Sequence, residues 1–593
     1  MTRSVRRLSV LLLFSACLPV APDEAPAPPG RPNVILVMTD DQGLGDFGFA
    51  GNSRIRTPNL DALAAESARL TSFYVSPVCT PTRAALMTGR WPQRTRAFDT
   101  YIGRAMMEPD EVTVAELLRD AGYATGIFGK WHLGDCHPLR AVDQGFETAL
   151  VHRGGGIGQP SDPPGAEGKY TDPVLFRNGV PEQAEGYCTD VYFREALDWM
   201  ARCREEDRPF FCYLATNAPH GPFGDVPEEL YRRYRDEDLG PESFPATSPG
   251  HPMPERLDSD RLARIFAMIE NIDQNMGRLR GGLDALGCLD DTLILFLVDN
   301  GPEGRRWIAG HRGSKSEVYE GGVRSPLLAR WPGHFSPGVA SDRIAAHVDV
   351  LPTILEACGV RAPSEVALDG RSLVPLLARR ESPWPDRALV IQANRGDRPV
   401  PWHNVAVRRQ DWKLVNATGF GREVDAVEQH LELYDMRADP LELHDVAAEH
   451  PDVVAGLRRD YEDWWKSIVA TRPDPFAPPR IHVGTAAEPT TVLTRQDWRR
   501  EDQERGWGSR GHWLIDVRRA GAYEVLVRLP ARREGRSMTL SCGPVERRVE
   551  VPEGVHELLL RVELPVGPAE LRTTLTDAQG EYGAHQVELT RRI

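Results

Sequence analysis

Residues 34–38 read Val-Ile-Leu-Val-Met and stop abruptly at Thr39-Asp40-Asp41. Five apolar residues in a row leave no polar face. Such a strand has to be covered on both sides, which places it inside a sheet sandwiched between helices. The following segments meet that demand. Residues 112–121 carry helical periodicity and lead into the strand-like Gly122-Tyr123-Ala124-Thr125-Gly126-Ile127-Phe128-Gly129. A second apolar run, 210–215, enters Asn217-Ala218-Pro219-His220, and a third, 292–298, enters Asp299-Asn300. Helices are predicted over 59–70, with Leu60, Leu63 and Ala64 on one face, and over 262–286. Strands alternating with helices predict an α/β fold built on a large parallel-type sheet. Polar motifs recur just past the strands, where ligands sit in such sheets.

The pattern changes near residue 389. Short strands are expected at 412–415 and 433–435, followed by a helix over 453–468 and a Pro-rich stretch over 471–480. Beyond 481, alternating segments at 523–529, 538–540 and 558–564 predict an accessory β-sandwich. With 593 residues the chain exceeds a single core. The expected division is a signal peptide (1–17), a linker (18–31), a catalytic domain (32–388), a small C-terminal subdomain (389–470) and the accessory sandwich (481–593). Trp498, Trp507, Trp513 and Tyr523 fall in the sandwich, either as core residues or as a sugar-stacking platform.

At the N-terminus, Arg3, Arg6 and Arg7 precede an apolar run, 8–14, and then Ser15-Ala16-Cys17. This is the order of a secretory signal peptide. Its end resembles a bacterial lipobox, in which Cys17 would be lipidated. Phe14 departs from that pattern, and plain cleavage nearby is the alternative. The next residues, rich in Pro and Ala, read as a tether. The chain is therefore expected to be exported, to the periplasm or cell surface, with a membrane link only through that anchor. No other stretch approaches the ~18 apolar residues of a membrane span. The net charge of −15 argues against a nucleic-acid partner. Nine cysteines, scattered and without metal spacing, indicate no disulfide framework, although one or two bridges could form after export.

The remaining motifs carry chemistry. Asp40-Asp41 and Asp299-Asn300 each follow a buried strand. Taken alone they read as turn residues, but together they form an all-oxygen set suited to Ca²⁺ or Mg²⁺. Cys79-Thr80-Pro81-Thr82-Arg83 precedes Leu86-Met87-Thr88-Gly89-Arg90. Lys130 and His132, in Gly129-Lys130-Trp131-His132-Leu133-Gly134, share one face of an extended segment. His220 lies between Pro219 and Pro222, and Lys315 lies four residues before Tyr319-Glu320-Gly321-Gly322.

In order and spacing, over about residues 31–470, these motifs resemble the type I sulfatases of the alkaline phosphatase superfamily. The resemblance implies that a maturation enzyme oxidises Cys79 to Cα-formylglycine, whose hydrate is the nucleophile. It implies Asp40, Asp41, Asp299, Asn300 and the Cys79-derived oxygen as ligands of Ca²⁺, in preference to Mg²⁺. It assigns Arg83 and His132 to the nucleophile, and Lys130, His220 and Lys315 to the sulfate and the leaving oxygen. Met268-Ile269-Glu270-Asn271-Ile272-Asp273 and Asp439-Pro440 strengthen the match as structural segments. The loop Gly154-Gly155-Gly156-Ile157-Gly158-Gln159 resembles one in some bacterial arylsulfatase-like members. The implied activity is hydrolysis of a sulfate monoester, of a sulfated carbohydrate or an aryl sulfate. The rival readings are a phosphonate monoester or phosphodiester hydrolase of the same superfamily, and a non-catalytic glycan-binding protein.

Overall fold

The structure is a computed structural model that describes residues 31–379, 383–421, 424, 426–502, 506–530, 536–578 and 580–592. The predicted signal peptide with Cys17, and the tether up to residue 30, lie outside the described residues.

An eleven-stranded sheet dominates the first part of the chain. Its main strands are β1 (Asn33–Thr39), β2 (Ala68–Tyr74), β3 (Ala124–Lys130), β4 (Thr148–His152), β5 (Val174–Arg177), β6 (Val180–Gln183), β7 (Phe210–Ala215), β8 (Thr292–Val298) and β9 (Arg324–Arg330). They run in the order β2-β9-β8-β1-β7-β3-β4-β5-β6. The five central strands, β8 to β4, are parallel. The flanking pairs are antiparallel, so the sheet is mixed rather than wholly parallel. One cause is local: Asn178 and Gly179, both at positive φ, turn β5 directly back into β6.

β1 fulfils its composition. Val34, Leu36 and Met38 face one core with the helices Val114–Asp120 and Val350–Ala357. Ile35 and Val37 face the other, with Cys188–Glu205 and Ser259–Ala285. The helix predicted over 59–70 is Pro58–Glu66, and Ala68 already begins β2. The apolar Leu70 that extended the helical pattern belongs to the strand. The carboxylate of Asp273 holds the start of that helix, accepting from the Leu60 N–H at 2.8 Å and from Asn59 Nδ2 at 2.8 Å.

A four-stranded antiparallel sheet follows: Leu389–Gln392, Val405–Arg408, Trp412–Asn416 and Glu432–Asp435. It is fastened to the main sheet by a buried ion cluster. Lys413 Nζ lies 2.9 Å from Glu320 Oε1 and 2.7 Å from Glu442 Oε1.

Residues 481–591 form two further sheets around one core, which includes Trp498, Trp513, Val525, Leu540 and Val587. Met106, Cys136 and Leu139, from the first part of the chain, join the same core. The Pro-rich connection before it is docked rather than loose. Phe476 is buried and packs edge-on against Phe98. The eight described cysteines are all free and buried, so none forms the bridges that export would permit.

Candidate active site

β1 and β8 are neighbours with Thr39 paired to Val298, so their continuations leave the sheet side by side. The Asp299 N–H donates to the Thr39 carbonyl at 3.1 Å, and the Asp41 N–H to Asp299 Oδ1 at 3.1 Å. Asn300 Nδ2 donates to Asp41 Oδ1 at 2.8 Å. Asp41 sits at φ 63, a left-handed conformation rare outside glycine. β3 delivers Lys130 to the same rim, and Lys130 Nζ lies 2.5 Å from Asp40 Oδ2. The helix Cys79–Thr88 begins there, with Cys79 as its first residue. One turn on, Arg83 is fully buried and donates to Asp299 Oδ2 at 2.8 Å and to the Lys130 carbonyl at 2.9 Å. Lys315 reaches in from a loop whose Ser316 N–H donates to the Pro77 carbonyl at 2.7 Å, and Lys315 Nζ lies 2.6 Å from Asp41 Oδ1. The glycines after it serve packing. A Cβ on Gly322 would meet the Glu317 carbonyl at 2.0 Å.

Three carboxylates thus face three cations, all of them buried except Lys315, which is partly exposed to the cavity. Burial pushes the Asp40 carboxyl up, but Lys130, His220 and Arg83 outweigh it and hold it far below the usual range. Asp41 is likewise lowered, with Lys315 opposing burial. Asp299 goes the other way, to about 7, through burial and the adjacent Asp40. Burial raises the Cys79 thiol to about 11. Such a thiol is protonated at neutral pH and is a poor nucleophile as it stands.

The donor set suits a hard cation. Ligating atoms of Asp40, Cys79 and Asp299 lie within 4.8 Å of one another. Asp40 Oδ1 and Asn300 Oδ1 are buried without a hydrogen-bond partner. Buried oxygens are seldom left so, and a cation among them would satisfy both and relieve the crowding of Asp299 by Asp40.

Each histidine has a defined tautomer, because its partner is a carbonyl that can only accept. His132 Nε2 therefore donates to the Thr100 carbonyl at 2.8 Å, leaving Nδ1 as the basic nitrogen, buried and unpartnered. Burial, then Lys130 and Arg83, hold the His132 pKa well below its ordinary value, so it stays neutral. His220 Nδ1 donates to the Gly221 carbonyl at 2.8 Å, and its Nε2 lies 3.7 Å from Asp41 Oδ2. His132, like Asp41, has a positive φ, of 56.

All ten residues singled out in the sequence meet in this cluster. The structure adds others. Gly155 and Gly156 run against the two imidazoles: a Cβ on Gly155 would come within 2.6 Å of His132 Cε1, and one on Gly156 within 2.9 Å of His220 Cε1. The glycine loop was legible as a motif, but its task was not. Gln496, from the C-terminal sheets, donates to the Thr100 carbonyl at 2.9 Å beside His132. Its Nε2 is 3.4 Å from His132 Nε2. Both nitrogens are donors to one oxygen, so they sit side by side without bonding each other. Nothing around residue 496 in the sequence marks this role.

Comparison with known proteins agrees with the geometry. The sequence matches the family described as Sulfatase over residues 32–360 and the family described as N-sulphoglucosamine sulphohydrolase, C-terminal, over 313–464. It is 34% identical to arylsulfatase A of Homo sapiens over 492 residues, 76% of this chain and 89% of the relative. It is 32% identical to N-acetylgalactosamine-6-sulfatase of Sus scrofa over 396 residues, 62% of this chain and 69% of the relative. Among solved structures, Ps i-CgsB in complex with k-i-k-neocarrahexaose aligns with a TM-score of 0.61 and 27% identity, over 73% of this chain and 93% of that one. The phosphonate monoester hydrolase of Agrobacterium radiobacter shares the fold, with a TM-score of 0.54 and 24% identity over 74% of this chain and 96% of that one. The chain belongs to the sulfatase family and is a sulfuric ester hydrolase.

Proposed function

We propose that this enzyme hydrolyses sulfate monoesters of carbohydrates with a formylglycine at position 79 and Ca²⁺ held by Asp40, Asp41, Asp299, Asn300 and the oxygen at position 79. The reading rests above all on the two unpartnered buried oxygens, Asp40 Oδ1 and Asn300 Oδ1, beside Cys79 at the mouth of the sheet. A hydrated formylglycine supplies one hydroxyl to attack sulfur and a second to be deprotonated, chemistry that a thiol with a pKa near 11 lacks. Bound Ca²⁺ supplies positive charge against the sulfate oxygens.

The other steps fall to residues of the chain. Arg83 is too deeply paired with Asp299 to reach substrate, so it orients the helix start and fixes Asp299. Lys130 and Lys315 stabilise charge developing on the sulfate. The basic Nδ1 of the neutral His132 takes the proton whose removal returns residue 79 to its resting form. Lys315 and His220, both partly exposed on the cavity, assist the leaving oxygen. A sugar alkoxide is a poor leaving group, and this help is worth most there. Export, with or without a lipid on Cys17, would put the enzyme where sulfated glycans are met. The test is mass spectrometry of the peptide containing position 79 from active enzyme, beside kcat/KM on sulfate and phosphonate esters. Aldehyde mass and a preference for sulfate are expected. Unmodified cysteine in fully active enzyme, or a preference for phosphonates, would overturn the reading.

A further inference from the structure

The cavity in front of Cys79 has a volume of about 900 Å³, much more than a sulfate group fills. Its floor is the strand-end cluster, and its walls come from elsewhere. One wall is Thr100 and Tyr101, a second is Arg395 and Phe420, and a third is Arg500 and Trp507. The third belongs to the C-terminal sheets, with Trp507 in the connection between Arg499–Arg500 and Gly511–Val517.

Trp507 is held firmly. Its Nε1 donates to Gln496 Oε1 at 3.1 Å, and its carbonyl accepts from Trp498 Nε1 at 2.8 Å. Its ring meets Tyr101 edge-on, with centroids 6.0 Å apart. The Arg395 guanidinium lies over the Tyr101 ring at 4.3 Å and the Phe420 ring at 4.2 Å. The sequence allowed two readings of the tryptophans, and the structure divides them. Trp498 and Trp513 have no exposed surface and pack against each other in the core at a tilt, with centroids 5.7 Å apart, and Tyr523 is buried with them. Trp507 stays half-exposed on the cavity.

We infer that the C-terminal sandwich completes the substrate site, with Trp507 and Tyr101 forming a subsite that packs against the pyranose ring bearing, or next to, the sulfate. The inference rests on the reading of the Cys79 cluster as a sulfate-ester site, since it places the ring on the leaving-group side. A sugar presents an apolar C–H face with a rim of hydroxyls. The cavity offers the complement: half-exposed aromatic rings among the polar groups of Gln159, Ser316 and Arg395. A purely apolar leaving group would cover polar groups such as those of Gln159 and Ser316 without pairing them.

The test uses full-length, matured protein with 4-nitrophenyl sulfate and a panel of O-sulfated galactose, glucosamine and N-acetylgalactosamine mono- and disaccharides. For the best saccharide, Trp507→Ala should lower kcat/KM by ~10–100-fold, mainly through KM, the scale of one well-packed aromatic contact. The loss on the aryl ester should be at least about ten times smaller, because an activated aryl ester depends less on contacts beyond the sulfate. Trp507→Phe should recover most of the loss. Should Trp507→Ala fail to fold, Tyr101→Leu reads the same ratio from the opposite wall. Equal losses on both substrates, or no loss on either, would overturn the subsite. If the wild type turns over no sulfate ester, the cluster reading fails by itself, and titrating tryptophan fluorescence with the same saccharides decides the subsite. Quenching that disappears in Trp507→Phe upholds it. No quenching overturns it.

Discussion

The central sheet and the C-terminal sandwich solve the problem of burial in opposite ways, and their functional residues differ accordingly. β1, β3, β7 and β8 are buried along their whole length, so they carry no alternation and have no room for polar chemistry within the strand. Everything reactive is displaced to the ends where the strands emerge together. In the sandwich, Gly511–Val517 alternates buried and half-buried positions, as a sheet covered on one face does. Its contribution to the cavity comes from the end of the short strand Arg499–Arg500 and from the connection after it. The first kind of site is dense, charged and internally coupled. The second is a wall, and its residues can be changed one at a time.

The sharpest contrast is therefore at Asp299. Asp299→Ala removes a candidate cation ligand and leaves the fully buried Arg83 without its 2.8 Å partner. Turnover should fall to background, the metal content measured by mass spectrometry should drop, and stability should fall by about 3 kcal/mol, the scale for breaking a buried ion pair. Retained turnover, or unchanged metal content, would mean that the strand ends are ordinary turns.

The two histidines should separate next. If His220 assists the leaving oxygen, His220→Ala should cost ~10²–10⁴-fold on sugar sulfates and clearly less on activated aryl sulfates. If His132 serves residue 79 instead, His132→Ala should cost similar factors on both, because the proton it takes is then not that of the leaving group. Equal sensitivity of the two variants to the leaving group would break that division of labour.

Gly155→Ala tests whether the strand-end cluster depends on its surroundings. The added methyl would press on His132 Cε1 at 2.6 Å without touching a charge. If His132 acts as the proposed base, the expected loss is ~10²-fold in kcat, from displacing it by a fraction of an ångström to an ångström, with the melting temperature nearly unchanged. Full activity would show that the close approach of Gly155 does not position His132.

How far the sequence could be read follows the same contrast. Asp40 and Asp299 were legible as strand ends because each comes directly after a run too apolar to be anything but a central strand, and they and Lys130 were legible as site residues only beside the family motifs. Cys79 and Lys315 were legible through family motifs of ordered spacing. Helix ends were off by a few residues where a strand began at once, as at Ala68. The two antiparallel flanks of the sheet had no distinctive pattern. Trp507 was illegible in kind: a tryptophan in a β-rich segment looks the same whether it fills the core, as Trp513 does, or lines a cavity. Gln496 acts on Thr100 across 396 positions of sequence, and such a contact has no local signature.

The smallest expected effect lies where the two regions meet. Asp135, just past the Lys130–His132 motif, and Asp497, in the sandwich, are both buried and near each other. Burial raises the pKa of each above 3.8, the mutual repulsion raises Asp497 further, and Arg153 opposes both. Asp135 Oδ1 accepts from the Gly154 N–H at 3.0 Å, while Oδ2 is buried without a partner. A raised carboxyl pKa means that, between 3.8 and the folded value, the folded protein holds protons that the unfolded chain has released. In that window stability falls as pH rises. Asp497→Asn removes one of the two charges and keeps the size of the side chain. It should raise the unfolding free energy by ~1 kcal/mol at pH 7–8, an increment that shrinks toward zero near pH 4. The difference between wild type and variant, measured by thermal unfolding across that range, isolates this pair from the other titrating groups. A variant less stable than wild type at pH 7–8 would mean that the Asp497 charge is compensated, with Arg153 outweighing burial. The sandwich would then be joined to the sulfatase unit by an ion pair, and its docking would strengthen on the alkaline side rather than weaken.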